Sequence, residues 1–185
     1  MNIIYRLVVN TVFVCLVLSA CDSKTSYSND PTGKWSCKVN TRDIVGTEYL
    51  ILSSDSSLEM VDIIRYSASN DRWGMSVGAR IETFGKWHTR NDSLIFLLYK
   101  TEICTDSTSF NINMNVATSA SSVKSSEKIK DLMRADFCKA VYEELSDLYD
   151  KENGSQINLG KIEFLAQDSM VLINGANSTV LVRQH

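Results

Sequence analysis

The sequence predicts a mainly β domain with one long helix, in which an antiparallel sheet curls or closes into a barrel. Three observations predict it. Apolar and polar residues alternate with period two over most of residues 33–116 and 156–184. Clusters of Ser, Asn and Asp separate the alternating runs, as turns between strands require. The period changes only once, to steps of three and four, over residues 125–152.

The first strand opens at Gly33-Lys34-Trp35, where Trp35, Cys37 and Val39 share one face. Residues 49–52, 58–66 and 94–99 are apolar on both faces and are expected to be covered on both sides. In residues 73–84, Trp73, Met75, Val77, Ala79 and Ile81 alternate with Gly74, Ser76, Gly78, Arg80 and Glu82; Phe110, Ile112, Met114 and Val116 alternate with asparagines in the same way. Turn chemistry at Ser53-Ser54-Asp55-Ser56, Ser69-Asn70-Asp71 and Arg90-Asn91-Asp92 divides these runs.

After a serine-rich loop at 118–126, Ile129, Leu132, Met133, Phe137, Ala140, Val141, Leu145, Leu148 and Tyr149 form one helical stripe, with Lys128, Lys130, Asp131, Arg134, Glu143, Glu144 and Asp147 mostly opposite. Asn153-Gly154 stops the helix. Its apolar side is expected to pack on the sheet, and its length excludes an all-β domain. Residues 159–166, 170–173 and 179–183 return to short strands, the last two joined through Asn174-Gly175-Ala176-Asn177. The total is eight to ten strands, and closing the sheet is the economical way to hide their edges.

At the N-terminus the single cation Arg6 precedes an uncharged apolar run over residues 7–18, too short to span a bilayer as a helix. The run ends in Leu18-Ser19-Ala20-Cys21. This resembles the lipobox of bacterial lipoproteins. The resemblance implies that residues 1–20 are a signal peptide that is removed, that Cys21 becomes the lipid attachment site, and that acyl chains such as palmitate anchor the protein to a membrane of the cell envelope. Each buried methylene contributes about 0.8 kcal/mol, so two or three chains hold where one is marginal. Asp22 resembles the signal that retains lipoproteins at the inner membrane, which favours its periplasmic face over the outer membrane.

Residues 21–32 then read as a polar tether, and residues 33–185 as one β-rich domain with the helix inserted. Removing residues 1–20 leaves 165 residues, enough for one full-sized core, with a net charge of −4. Mild acidity without a basic cluster argues against nucleic acid as a partner.

Gly33-Lys34-Trp35 on the first strand and Arg183 on the last resemble the lipocalin pattern, in which an arginine from the final strand stacks on a G-x-W indole. A second copy, Gly85-Lys86-Trp87, precedes a polar turn and a strand, an order similar to that of small bacterial lipocalin-like lipoproteins. The resemblance implies a lipocalin-like barrel with Trp35, Trp87 and Arg183 in structural roles. True lipocalins place their helix after the eighth strand, whereas here it precedes the last two or three.

Cys37, Cys104 and Cys138 remain beside the lipidated cysteine, in a compartment that the lipoprotein resemblance makes oxidising. Three pairings and three buried reduced thiols are all open; a Cys104–Cys138 disulfide is favoured, because Cys37 points inwards with Trp35 and Val39.

The search for chemistry names no catalytic residue, cofactor or metal site. His88 and His185 are not spaced as ligands, no C-x-x-C occurs, and no phosphate-cradling glycine loop is present. The carboxylates are read as lying in turns and on the solvated helix face. The sequence is accordingly read as that of a non-enzyme. Two functions are carried forward: a lipid-anchored periplasmic binding protein that holds a lipid or other hydrophobic small molecule, and a protein-interaction lipoprotein, such as a periplasmic inhibitor, a toxin immunity protein or an accessory subunit of an envelope complex.

Overall fold

The structure, a computed structural model, describes residues 30–69, 73–114 and 123–184. The signal peptide, Cys21, most of the tether, Val116, most of the serine-rich loop and His185 lie outside the described residues.

Eight antiparallel strands follow one another around a closed barrel: β1 (Gly33–Asn40), β2 (Ile44–Leu52), β3 (Ser57–Ser69), β4 (Trp73–Arg90), β5 (Ser93–Met114), β6 (Gln156–Leu165), β7 (Ser169–Asn174) and β8 (Asn177–Arg183). The helix α1 (Val123–Tyr149) and a single 3-10 turn (Asp150–Glu152) connect β5 to β6. The turns obey local chemistry. Asn91 and Asp92 both take positive φ, the conformation that a two-residue hairpin between Arg90 and Ser93 demands. Asp55 Oδ1 accepts from the Ser57 N–H and hydroxyl at 2.9 and 2.7 Å, fixing the β2–β3 turn.

Alternation places Trp35 and Val39 of β1, Leu50 and Leu52 of β2, Leu58, Met60 and Ile64 of β3, Val77, Ala79 and Ile81 of β4, and Leu94, Phe96 and Leu98 of β5 in one core, joined by Met170, Leu172 and Leu181. The outer face is more open than the double-sided apolar runs suggest. Val61 and Ile95 are covered, but Ile63 and Tyr99 are about half exposed.

Two strands are longer than their apolar runs. β4 continues through Gly85-Lys86-Trp87 to Arg90 across a register shift at Phe84/Gly85, and the runs at 94–99 and 110–114 are one strand, β5. The polar stretch Lys100-Thr101-Glu102 hides that continuity, because alternation with few apolar residues gives little signal. β5 pairs with β6 only over Ser93–Leu97, so its remaining length extends beyond the short strands β6 to β8.

The helix packs against the inner side of that extension. Phe137, Val141, Leu145 and Tyr149 recur every fourth residue and are buried with Cys138; Phe137 meets Tyr66 of β3 and Phe110 of β5 at ring-centroid distances of 6.3 and 6.0 Å. The packed stripe is narrower than the sequence suggests. Ile129 and Leu132 are 52 % and 67 % exposed and Ala140 also faces solvent, so the N-terminal half of α1 stands off the sheet.

Candidate functional site

Register brings three polar side chains to one level of the barrel. Cys37 lies opposite Glu48, and Glu48 opposite Asp62, on the consecutive strands β1, β2 and β3. All three occupy inward positions in phase with Trp35, Leu50 and Met60 on one side and with Val39 and Ile64 on the other, so a polar layer is inserted between apolar ones. From α1 the Tyr149 hydroxyl enters the same space and donates to Asp62 Oδ2 at 2.9 Å. Glu152 follows in the 3-10 turn and is buried as well.

This layer lacks compensation. Asp62 Oδ1 and Glu152 Oε2 are buried without a hydrogen-bond partner, and none of the ion pairs among the described residues includes Glu48, Asp62 or Glu152. Burial raises the Glu48 pKa, and the adjacent charge of Asp62 raises it further. Burial raises Asp62 too, opposed by the Tyr149 hydrogen bond, so of the two it is Asp62 that holds negative charge more readily. Burial pushes Glu152 up to about 7. The phenol of Tyr149 is held protonated by burial and then by Asp62, which keeps it a donor. Burial and then the charges of Glu48 and Asp62 drive Cys37 far above the ordinary thiol range, so it is a neutral thiol.

Cys37 is only partly buried although it points inwards, and Glu48 retains 8 % exposure. The ladder that joins β8 to β1 comprises Trp35 with Arg183 and Ser36 with Val182. Cys37 is the next residue beyond it.

The G-x-W glycines lie at one end of the barrel, and Trp35 forms part of the apolar layer between that end and the polar layer. Gly33 is level with Leu52, Leu52 with Leu58, and Leu58 with Gly85, so the two glycines share a tier across four strands. Trp35 is fully buried, its Nε1 donates to the Pro31 carbonyl at 2.9 Å, and the Arg183 guanidinium lies 4.3 Å from the centre of its ring. Gly33 has φ +138°, and a Cβ there would stand 2.7 Å from Arg183 Nη1. Trp87 is half-buried and donates from Nε1 to the Ser53 carbonyl at 3.0 Å. Gly85 serves a different need: a Cβ would meet the Leu97 carbonyl oxygen at 2.3 Å, beside the register shift.

The Cys104–Cys138 bridge is not formed, and Cys37, Cys104 and Cys138 all carry free thiols. Cys104 sits mid-strand opposite Arg80, exposed on the outer face, whereas Cys138 is buried beneath the helix. The two belong to different sides of the sheet. The reading of the carboxylates is also corrected, since Glu48, Asp62 and Glu152 are internal. Asp62 was legible: it falls in phase with Leu58, Met60, Ile64 and Tyr66, an acid on the buried face of an apolar run. Among the described residues no group of three or more His, Cys, Asp or Glu side chains is arranged to hold a metal.

Comparison with protein-family models, curated proteins and solved structures finds no match to this chain.

Proposed function

We propose that this protein is a lipid-anchored binding protein of a bacterial envelope, held on the periplasmic face of the inner membrane through Cys21, whose lipocalin-like barrel takes a small hydrophobic or amphipathic molecule. The observation that carries the reading is the layer of Cys37, Glu48 and Asp62 on the inner wall of a largely apolar barrel, with one carboxylate oxygen unpartnered and Cys37 only partly buried. Small-molecule sites combine apolar walls with a few converging polar groups. A barrel whose interior served stability alone gains nothing from buried carboxylates.

The test is solvent extraction of the full-length protein purified from membranes, with mass spectrometry of what is released. A stoichiometric small molecule distinct from the N-terminal acyl chains supports the reading, and extracts that hold only those acyl chains overturn it. The anchor is tested separately: Cys21→Ser should abolish incorporation of labelled palmitate.

A second reading, an interaction protein of the envelope, is favoured by Ile129 and Leu132, which the docked half of α1 leaves uncovered. Crosslinking in intact cells should then capture a protein through these two positions in preference to the barrel.

A further inference from the structure

We infer that the barrel site is selective for an organic ammonium ion with an apolar substituent, the ammonium donating to Asp62 Oδ1 and to Glu48 while the substituent lies against neighbouring inward side chains. The inference rests on the binding reading above and names the class of ligand.

Four observations support it. Glu48 and Asp62 face each other across β2 and β3 inside the barrel, and Glu152 adds a third buried carboxyl near Tyr149. The ion pairs of the described residues leave all three without a cation. Asp62 is 3 % exposed, yet its Oδ1 has no partner, whereas Oδ2 is occupied by Tyr149. Tyr149 thus acts as a positioning residue: it fixes the carboxylate plane and leaves one oxygen directed at the interior. Finally, Cys37 keeps partial exposure where the β1–β8 ladder ends, so the polar layer is approached from that seam.

The chemistry selects among ligand classes. An anionic headgroup would be repelled by the acids; Arg183, whose Nε is buried, has its guanidinium over Trp35 and forms no ion pair with them. A metal ion needs several ligands converging on one point, and the described residues offer no such group. A neutral alcohol supplies one donor and no charge. An alkylammonium supplies three donors and the compensating charge, and its apolar tail suits the Leu50, Met60 and Val39 surroundings. Binding requires no covalent step.

The test uses the full-length protein in detergent, with matched micelles as reference, titrated calorimetrically with n-hexylammonium, hexanol and hexanoate at neutral pH. Hexylammonium should bind at one site, with hexanol and hexanoate weaker by about tenfold or more, the value of one charge-assisted hydrogen bond in a dry site. Asp62→Asn, nearly isosteric, should lose that preference. Thermal melts provide the folding control: hexylammonium should raise the transition of the parent protein and leave that of the variant unchanged. Hexanol binding as tightly as hexylammonium, or Asp62→Asn retaining the preference, overturns the ammonium assignment and leaves the binding reading standing. No binding by any of the three overturns both.

Discussion

The guanidinium of Arg183, at the end of the last strand, lies over the indole of Trp35, near the start of the first, and Gly33 keeps open the space in which it lies. The first and last strands are thus joined by a cation over an aromatic face as well as by the ladder. Arg183→Met should lower the unfolding free energy by about 1–2 kcal/mol, the range of a partly desolvated cation–π contact. Gly33→Ala should destabilise through both its positive φ and the Arg183 clash, and in an Arg183→Ala background its cost should shrink to the backbone component. Urea denaturation of the four-member cycle checks this; additive effects would show that the glycine and the arginine do not share the space.

Tyr149 ties the helix to the inner wall of the barrel through Asp62. Tyr149→Phe removes the donor and leaves Asp62 Oδ2 buried without a partner, so it should cost about 1–3 kcal/mol. Tyr142→Phe, on the exposed side of the same helix, should fall within about 0.5 kcal/mol of the parent protein.

Stability should fall as pH rises. Glu48, Asp62 and Glu152 all have folded-state pKa values above the ordinary carboxylate range, so between about pH 4 and the value of about 8 for Glu48 the folded chain binds more protons than the unfolded one. The slope of unfolding free energy against pH is then negative over that window. The loss should be complete only above the value of about 8 to which Glu48 is raised. Glu48→Gln should flatten the decline and stabilise the protein at pH 8 relative to pH 5, as denaturant midpoints across the range would reveal.

The thiols should differ in reactivity. Cys104, exposed on the outer face, should be alkylated by iodoacetamide in the native protein. Cys138 is buried and Cys37 is a neutral thiol, so both should react fully only after unfolding. Peptide mapping of protein labelled before and after denaturation reads this directly. Equal native labelling at all three positions would contradict the described burial.

The two halves of α1 should carry unequal weight. Leu145→Ala opens a cavity under the helix and should cost about 2–5 kcal/mol. Leu132→Ala touches solvent and should fall within about 0.5 kcal/mol of zero. Comparable losses would place both halves on the barrel.

Period two made most strands legible because their inner faces are uninterrupted: Val77, Ala79 and Ile81 announce β4 without help from the fold. The signal faded in the polar middle of β5, where few apolar side chains mark the inner face and the strand was divided in two. It misled at the helix, since a stripe drawn from sequence assumes a partner along its whole length, and the sheet covers only the half from Phe137 onwards. The polar layer was hidden for another reason. Glu48 and Asp62 belong to different strands, and only the β2–β3 register makes neighbours of residues that are far apart in sequence. Asp62 alone carried a local sign, an acid on the buried phase of an apolar run. Tyr149 read as one more core aromatic, because nothing in a helical stripe says where a hydroxyl ends.

The narrow seam between β1 and β8 also bears on how the molecule is made. Two ladder pairs, the Arg183–Trp35 contact and the hydrogen bonds of Gln184 to Lys34 and Ser36 hold the ring shut, and their members come from the first strand and from the last strand or the residue after it, so closure waits for the last strand to be made. Until then β1 is an open edge, available to any other unpaired strand. Deleting the few residues around Arg183 would therefore do more than trim a terminus: it would leave a bent, unclosed sheet with two sticky borders, and its characteristic fate would be oligomers rather than a slightly weakened monomer.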